Sequence, residues 1–590
     1  MHASEERPYS SAPASKSRFY HFLSIAATAL LPSSAHALTL LNPSFETPSV
    51  LSSQYNVPGA SWAFKYNSGI ANNSMGAPAT PYGSQAAFIQ GNTNLSFFTQ
   101  NLSLSAGTYE ISCFAAKRAG YPANPLTVYV DGVSLGSNIT VTAESFTQFI
   151  LPVVTVTAGA HQIAFKGLGT DQSQWVLIDN VTITAVANVV LDFGAVGDGV
   201  HDDTPNIQNA INSSYNKIWF PPNKTYRMNS SASITRANGW RVLYGAGDAS
   251  VIKSDGYVFM LQDTTDTQIC NLRLRNITTP YLIYRWGDTV GYQPTPNDDD
   301  IWPTLSASQQ NQDIGPKIYV AGGNNISVFG ITGDFVTLEF ANTSNSRVTD
   351  CSFRGGKNFA GGILFWGGAG QVNSNNVILR NTVHHASLSG ICTAAAQDCL
   401  VASNHCNWNG ESGIKAWSDY GDPYRTCVRM TYDKNIADHN WYDGIELLPI
   451  EAQDPEFDSS GGQGPAHGSM VRNNISTNNR KTGYYNCGKY WTYSNNTAQS
   501  NGTGGFQIYS DYSSFTGNAT TNNNLSNTPT GYHEVAFVGH TNTITGNTMY
   551  RYSTNIYRST LWNGDGLYTS KLNTYASNSL INCLLWLYDH

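Results

Sequence analysis

A short repeat decides the fold, and its second copy reads Asn404-His405-Cys406-Asn407-Trp408-Asn409-Gly410-Glu411-Ser412-Gly413-Ile414. Each copy begins with an asparagine and reaches a glycine nine positions later. The asparagines are Asn381, Asn404, Asn435, Asn474 and Asn496, and the glycines are Gly390, Gly413, Gly444, Gly483 and Gly505. Successive asparagines are 23, 31, 39 and 22 residues apart. A unit of about 22 residues with two insertions predicts a solenoid, whose turns bury their faces against one another.

The repeat also predicts which side chains point outward. We interpret the asparagine column as a ladder of stacked amides and the glycine column as a tight bend. The residue after each glycine is apolar and is expected to point inward, so the next residue and the one two positions beyond it point outward. The outward pairs are Leu364/Trp366, Cys392/Ala394, Lys415/Trp417, Glu446/Leu448, Tyr485/Cys487 and Gln507/Tyr509. This face suits a glycan groove, with Lys415 and Glu446 on neighbouring turns about 5 Å apart.

The composition agrees with a β-rich chain. Only 12% of the 590 residues are charged, about half of the roughly 25% typical of soluble domains. Long solvated helices and coiled coils need charged faces, so this composition argues against them. The 32 Lys and Arg against 40 Asp and Glu give a net charge of −8, which argues against a nucleic-acid partner, because phosphates require a basic surface.

The N-terminus has the pattern of a signal peptide. Basic residues precede the apolar run 22–31, and Ala35-His36-Ala37 supplies the small residues of a cleavage site. We therefore expect residues 1–37 to be removed and the protein to be secreted, to the extracellular space or the periplasm. The apolar run is shorter than the roughly 20 residues of a membrane span, and no later stretch reaches that length.

The cysteines do not indicate a disulfide scaffold. The chain has nine of them, too few for its length. Cys392, Cys399 and Cys406 are close enough in sequence to form one bridge, and burial as small apolar side chains explains them equally well.

Residues 38–187 predict a separate β-sandwich, because short β-rich runs alternate with Gly, Pro and Asn turns. Its opening 42–46 (NPSFE) and closing 178–183 (IDNVTI) resemble the end strands of galactose-binding-like carbohydrate-binding modules, which have a jelly-roll fold. In that family an acidic residue from each end commonly holds a structural calcium ion. The resemblance implies such a Ca²⁺ site at Glu46 and Asp179, although both could be ordinary turn and edge-strand residues.

Aromatic residues of this module are candidates for a sugar-stacking platform. Most of them must lie in the core, and we expect two or three to be exposed. The candidates are Tyr55, Trp62, Phe64, Tyr66, Tyr82, Phe97, Phe98 and Tyr121.

Residues 191–204 read LDFGAVGDGVHDDT and closely resemble the start of pectate-lyase-superfamily β-helices, the group of rhamnogalacturonases and epimerase-like pectate lyases. Residues 218–226 and 243–247 match the next strands of that group in order. The resemblance implies a right-handed parallel β-helix over residues 188–590, capped by a turn containing Asp198, Asp202 and Asp203. The expected fold class is therefore all-β, a parallel β-helix preceded by a jelly-roll sandwich.

The two insertions follow the Lys415 and Glu446 strands, so we expect their loops to form the sides of the groove. The first contains Asp419-Tyr420-Gly421-Asp422-Pro423-Tyr424-Arg425. It resembles the Y-G-F-D-P-H signature of mannuronan C5-epimerases, a family with the same fold. The Phe of that signature is missing here, and Tyr424 replaces its catalytic histidine.

Two reaction classes fit these residues. Elimination or epimerisation of a uronate needs a base at C5 and neutralisation of the sugar carboxylate. Lys415 or Tyr420 could supply the base or acid, and Arg425 could neutralise the carboxylate with Asp422 beside it.

Hydrolysis instead needs two carboxyl groups flanking the glycosidic bond. Glu446 could provide one of them and Asp443, Asp422 or Asp419 the other. In either case, aromatic side chains of the groove could bind the sugar: Trp366, Trp417, Tyr485 and Tyr509.

The sequence favours lyase-like or epimerase-like chemistry on a uronate-containing polysaccharide. A glycoside hydrolase using Glu446 is the first alternative. A non-catalytic glycan-binding β-helix is the second, in which Lys415 and Glu446 form only a surface ion pair worth a few tenths of a kcal/mol. No zinc spacing or phosphate-binding loop occurs in the sequence, so we expect no organic cofactor, and calcium is the one metal expected.

Overall fold

The computed structural model describes residues 40–73, 76, 78–277, 315–356, 361–367, 373–417, 427–448, 468–523, 534–539, 541–550, 566–570, 573–581 and 584–588. They form two compact units, one up to Ala187 and one from Asn188 onward. Within these residues no helix has the length and apolarity needed to span a membrane. The expected signal peptide, residues 1–37, lies outside the described residues, as do residues 418–426 and 449–467 of the two insertions.

The N-terminal unit is a sandwich of two antiparallel sheets. In spatial order, sandwich sheet A contains Ser53–Tyr55, Ser68–Asn72, Gln85–Gln90, Trp175–Asn188 and Gly107–Ala116, the last of which also pairs with Thr147–Ile150 and Val154–Val156. Sandwich sheet B contains Ala63–Lys65, Phe97–Leu104, Gly159–Gly167, Leu126–Val130 and Val133–Ser134. Inward side chains such as Ile89 and Phe165 fill a common core between the sheets, because alternate residues of each strand face it.

The C-terminal unit is a right-handed parallel β-helix with three sheets that run along it. Sheet 1 contains Ala232–Thr235, Tyr257–Thr265, Lys317–Asn324, Thr332–Ser344, Ile363–Trp366, Ile391–Ala394, Ile414–Trp417, Ile445–Leu448, Thr482–Lys489, Gly504–Asp511, Val535–Val538, Gly566–Ser570 and Leu584–Tyr588, with short strands Asn373–Ser374 and Ala396–Gln397. Sheet 2 contains Lys217–Phe220, Val242–Lys253, Gln268–Arg275, Ser327–Phe329, Arg347–Thr349, Val377–Leu379, Leu400–Ala402, Thr431–Asp433, Met470–Arg472, Thr492–Ser494, Ser514–Thr516, Thr543–Thr545 and Thr574–Ala576.

Sheet 3 begins with Asp198–Asp202 and Lys224–Arg227 and shares three long strands, Val242–Lys253 and Gln268–Arg275 with sheet 2 and Thr332–Ser344 with sheet 1. It continues through Ser352–Gly355, Thr382–His384, His405–Asn407, Ile436–Asp438, Ile475–Thr477, Thr497–Gln499, Ala519–Thr521, Thr548–Tyr550 and Ser579–Ile581. The helices in the described part of this unit are the α-helix Thr204–Asn212 and the 3-10 turn Arg236–Asn238. The predicted all-β class and the parallel β-helix are confirmed, whereas the jelly-roll connectivity of the sandwich stays a prediction.

The acidic turn lies at the start of this unit, and Asp203 holds its backbone in place. The Asp203 carboxylate accepts hydrogen bonds from the backbone N–H groups of Val196, at 2.7 Å, and Gly197, at 3.1 Å. The α-helix Thr204–Asn212 follows it, with a proline in its first turn, a position where the missing N–H costs nothing.

The asparagine ladder lies at the corner between sheets 2 and 3. Each side-chain N–H donates to the side-chain oxygen of the next asparagine, at 3.0 Å from Asn381 to Asn404 and 3.0 Å from Asn404 to Asn435. The ladder continues through Asn474, Asn496, Asn518, Asn547 and Asn578. A second ladder, which we did not predict, occupies the corner between sheets 3 and 1 and contains Asn409, Asn440, Asn479, Asn501 and Asn523.

The glycine column is present for a different reason from the tight bend we predicted. Its five glycines are not among those with a positive φ. A Cβ on Gly413 would lie 2.8 Å from the carbonyl oxygen of Gly444 and 2.7 Å from the amide nitrogen of Asn440. Glycine is therefore required because the next coil and the second ladder approach too closely for any side chain.

The predicted strand directions are confirmed. The apolar residues that follow the glycines are buried inside the coil: Ile391, Ile414, Ile445, Tyr484 and Phe506. The residues after them pair in direct succession on the outer face of sheet 1: Cys392, Lys415, Glu446, Tyr485 and Gln507. This register places these five side chains, Lys415 and Glu446 among them, in one column along the outer face of sheet 1.

The described cysteines are free. Cys392, Cys399 and Cys406 are buried, as are the other five described cysteines. Within the described residues burial therefore explains them, and Cys583 lies outside that part of the chain.

We expect Asn435→Ala to lower the free energy of unfolding by about 3 kcal/mol, because the buried backbone and side-chain N–H groups of Asn404 both lose the oxygen that accepts from them. Calorimetric unfolding of the full chain measures this change. Gln499→Ala, which truncates an exposed amide on a sheet-3 strand, is the control and should change stability little. Equal effects of the two substitutions would contradict a structural role of the ladder.

Candidate functional site

Charged side chains gather on the outer face of sheet 1, where two successive coils meet. Lys415 on Ile414–Trp417 pairs in register with Glu446 on Ile445–Leu448. The corner before each strand adds Glu411 to the first coil and Asp443 to the second. We call Glu411, Asp443 and Glu446, together with Lys415, the carboxylate cluster.

Lys415 lies between two carboxylates. Its Nζ is 2.5 Å from Oε1 of Glu411 and 3.5 Å from Oε1 of Glu446. Burial alone would lower the pKa of Lys415, but the negative charges of Glu446 and Glu411 outweigh it and raise the pKa above its ordinary value. Lys415 is therefore an ammonium ion at neutral pH, which does not support a role as a neutral base.

The ion pair is not a surface feature, contrary to one of the alternatives above. The side chains of Lys415 and Glu446 are only 17% and 9% exposed. The Oγ of Ser412 donates to Oε2 of Glu446 at 2.5 Å, and the Oγ of Ser389 donates to Oε2 of Glu411 at 2.8 Å. Burial raises the pKa of Glu446, while the charge of Lys415 opposes that rise.

Asp443 is the second fully enclosed carboxyl group of the cluster, beside Glu446. It is buried and accepts a hydrogen bond from the backbone N–H of Thr482 at 2.7 Å. Burial, followed by the negative charge of Glu446, raises the pKa of Asp443 to about 7. Two interacting carboxyl groups whose surroundings differ in this way are suited to acid and base roles.

Glu411 was not among the predicted site residues. It precedes Gly413 by two residues and Lys415 by four, whereas the predicted outward column begins after the glycine of each repeat. Lys481 was missed for the same reason, since it occupies the equivalent corner two coils later. Its Nζ lies 3.3 Å from the ring centroid of Tyr442, and its positive charge lowers the pKa of Asp443.

Aromatic side chains flank the cluster along the same face. Nε1 of Trp366 donates to Oε1 of Glu339 at 2.8 Å. At the other end, the rings of Tyr485 and Tyr509 lie edge to face with centroids 6.0 Å apart. Trp417 ends its strand beside the cluster, but its side chain is outside the described residues, as are Tyr420, Asp422 and Arg425. The structure therefore brings Lys415, Glu446 and Asp443 together and leaves the first loop's residues as predictions.

In the N-terminal unit, the candidate metal ligands Glu46 and Asp179 both accept hydrogen bonds from the backbone of residues 82–85. Oε1 of Glu46 accepts from the backbone N–H groups of Ser84 and Gln85, at 2.9 and 2.8 Å. Asp179 is fully buried and accepts from the N–H of Tyr82 at 3.1 Å. Burial and the negative charge of Glu46 raise the pKa of Asp179 to about 7.

The aromatic residues of that unit divide between core and surface. Trp62, Phe64 and Phe98 are buried in the core. One more ring than we expected is clearly exposed, and the exposed set is Tyr55, Tyr66, Tyr82 and Tyr121.

Comparison with known proteins supports the fold. Residues 186–415 match the family described as rhamnogalacturonase A/epimerase, pectate lyase-like, which confirms the resemblance to the pectate-lyase superfamily. The chain is also 26% identical over 321 residues to a capsule K30/K69-specific depolymerase of Klebsiella phage K64-1. That similarity covers 51% of this chain and 40% of the depolymerase, so the chain spans less than half the length of this relative.

Solved structures that are similar to this chain include a phage tailspike domain and an epimerase module. The tailspike receptor-binding domain of siphovirus 9NA is 17% identical, with a TM-score of 0.50, and the match covers 65% of this chain and 74% of that one. The A-module of an Azotobacter vinelandii mannuronan C-5 epimerase is 16% identical, with a TM-score of 0.40 and coverages of 68% and 96%. The likeness to the tailspike shows the β-helix fold.

We expect Lys415→Met to destabilise the protein by about 3 kcal/mol at pH 8, because Glu411 and Glu446 lose the cation between them. The loss should shrink as the pH falls, since protonation of Glu446, whose pKa is raised by burial, then removes the repulsion. Thermal unfolding measured between pH 5 and pH 8 follows the effect. Adding Glu446→Gln to the variant should recover part of the loss at pH 8, and a pH-independent loss with no recovery would contradict this account.

Proposed function

We propose that this chain cleaves a polysaccharide by glycoside hydrolysis at the carboxylate cluster. The observation that carries the proposal is Asp443, a buried carboxyl group with a pKa of about 7, beside the second buried carboxyl group of Glu446. A protonated acid next to an ionised partner is what hydrolysis of a glycosidic bond requires.

A polysaccharide substrate is supported by the shape and chemistry of sheet 1. Aromatic side chains lie on both sides of the cluster, at Trp366 and at Tyr485 and Tyr509. The sequence relationship to a capsule depolymerase is consistent with a glycan substrate. An enzyme acting on such a polymer is consistent with the secretion expected from residues 1–37.

Each residue of the cluster has a distinct role in this mechanism. Asp443 donates its proton to the glycosidic oxygen as the bond to the leaving sugar breaks. Glu446 acts as the second carboxylate, either attacking the sugar or activating water. Lys415 stabilises the ionised form of Glu446, and Glu411 in turn holds the ammonium group in place at 2.5 Å.

Lyase-like or epimerase-like chemistry on a uronate, which the sequence favoured, is the alternative. An ammonium ion at Lys415 cannot accept the C5 proton, but it can neutralise a sugar carboxylate. The base would then have to come from the first loop, for which Tyr420 is the candidate. Because elimination leaves a carbon–carbon double bond in the product, product analysis separates the two reactions.

We also propose that Glu46 and Asp179 hold a structural calcium ion in the N-terminal unit. The residues fit such a group, since both carboxylates have free lone pairs and neither pairs with a basic side chain within the described residues. Calcium prefers oxygen ligands, and its charge would remove the repulsion between the two carboxylates.

We expect Asp443→Asn and Glu446→Gln each to lower kcat at least about 100-fold. Release of reducing ends from acidic and neutral polysaccharides measures activity. With Asp443 as the acid, kcat should fall as the pH rises through about 7, because the group then loses its proton. Asp433→Asn alters a carboxylate on sheet 2 that pairs with Arg472 at 3.3 Å and is the control. Unsaturated products would favour the lyase, and unchanged turnover in both variants would exclude the cluster.

We expect calcium to raise the unfolding temperature of the N-terminal unit by about 5 °C relative to a chelator-treated sample. Glu46→Gln and Asp179→Asn should each abolish this increment. Asp171→Asn, at an exposed turn of the same unit, should leave it unchanged. An increment that survives both substitutions would place any calcium elsewhere.

A further inference from the structure

The outer face of sandwich sheet A carries a second apolar cluster, separate from the core. It is formed by Ala71, Phe88, Ala116, Trp175 and Leu177. Two exposed rings extend it. The centroid of Phe88 lies 4.9 Å from Tyr55 and 5.1 Å from Trp175, and Trp175 lies 6.1 Å from Tyr121. We call the four rings together the aromatic patch.

Arg118 covers one end of this patch. Its guanidinium carbon lies 4.2 Å from the ring centroid of Tyr121 and 4.5 Å from that of Trp175. The neighbouring acid, Glu144, pairs with Lys117 at 2.6 Å instead. No acidic side chain within the described residues pairs with Arg118, so its positive charge is available to a ligand.

Two hydrogen-bond donors at the same place are unsatisfied. Nε of Arg118 and Nε1 of Trp175 are buried and have no hydrogen-bond partner among the described residues. Trp175 itself is only 5% exposed. Buried donors are nearly always paired in native structures. Two adjacent unpaired donors, one on the uncompensated guanidinium group and one on the indole beneath it, therefore indicate a place for an acceptor that carries negative charge.

We propose that the aromatic patch binds an acidic saccharide, with Arg118 pairing with the sugar carboxylate. The guanidinium group moves off the indole, presents its planar fork to the carboxylate, and exposes Nε1 of Trp175 to donate to a sugar oxygen. The exposed rings of Tyr121 and Tyr55 then contact the apolar faces of the sugar. The site lies in the N-terminal unit and needs none of the carboxylate cluster, so it extends the proposed function without depending on it.

A saccharide fits this surface better than an acidic peptide does. The patch offers ring surfaces on a sheet and donors at one end. The nearby amide of Gln90 is already engaged, since its Oε1 accepts from Oη of Tyr55 at 2.9 Å and its Nε2 donates to the carbonyl of Gln172 at 2.6 Å. The strands Gln85–Gln90 and Trp175–Asn188 at the centre of the patch each pair with a neighbouring strand on both sides. Among the described residues, the patch centre therefore has no free backbone edge to which a peptide could hydrogen-bond.

The test uses the full-length chain carrying Asp443→Asn, so that the probe is not consumed. The probes are a linear trigalacturonate, a neutral galactotriose and a triglutamate peptide. Titration calorimetry gives each Kd, and ¹⁵N-labelled indole spectra follow the Trp175 N–H, assigned by its loss in Trp175→Phe. We expect trigalacturonate to bind and to shift the Trp175 signal, and the other two probes to bind at least about tenfold more weakly.

Arg118→Ala should weaken trigalacturonate binding at least about tenfold, a change of about 1.4 kcal/mol. Arg118→Lys should also weaken it, because lysine lacks the planar fork. The matched control is Lys117→Ala, at the adjacent residue, which should bind trigalacturonate as the parent chain does. A second variant of the patch is Tyr121→Ala, which removes an exposed ring. Equal affinity of Arg118→Ala and Lys117→Ala, or equal binding of galactotriose or triglutamate, would overturn the proposal. If Glu446→Gln loses activity but still binds trigalacturonate, the binding site at the aromatic patch is distinct from the proposed hydrolytic site.

Discussion

The β-helix depends on satisfying the polar groups at its corners. Each coil leaves one sheet and enters the next, and its backbone N–H and C=O groups at the corner are buried against the coils on either side. The asparagine side chains satisfy these groups. Each side-chain oxygen accepts from the backbone N–H and the side-chain N–H of the asparagine on the preceding coil, and each side-chain N–H group donates to a backbone carbonyl and to the asparagine oxygen of the next coil. Unsatisfied buried groups would each cost about 1–3 kcal/mol, so the ladder fixes both the corner and the register of the coils.

The carboxylate cluster follows from that register. Because the ladder keeps Asn404 above Asn435, the strands that begin ten residues later stack with Lys415 directly beside Glu446. The second ladder and the glycine column bring the corners so close that Glu411 and Asp443 join the same face. Charges that would be solvated on an isolated strand are thereby buried together, and burial next to like charge accounts for the raised pKa of Asp443.

The asparagine ladders pair the buried corner amides coil by coil over most of the described β-helix. Other buried polar atoms of that unit have no hydrogen-bond partner among the described residues, such as Nε of Arg347 and Nε1 of Trp491. What distinguishes Nε of Arg118 and Nε1 of Trp175 is that they lie side by side, on an indole and on a guanidinium group that stacks on it and has no acidic partner within the described residues. That combination, and not an unpaired donor alone, is the reason for assigning a ligand to the outer face of sandwich sheet A.

The sequence by itself determined the repeat, the inward and outward faces of sheet 1, and the pairing of Lys415 with Glu446. These features depend on spacing along the chain and on strand alternation, both of which can be read directly from the residues. The tertiary structure decided the rest. It showed that the glycines are required by the close approach of the neighbouring coil and not by a tight bend. It also showed that Glu411 and Asp443 lie beside Lys415 and Glu446. It also showed that the ion pair is buried. Those properties depend on distances between coils and on exclusion of water, which no pattern within a single coil specifies.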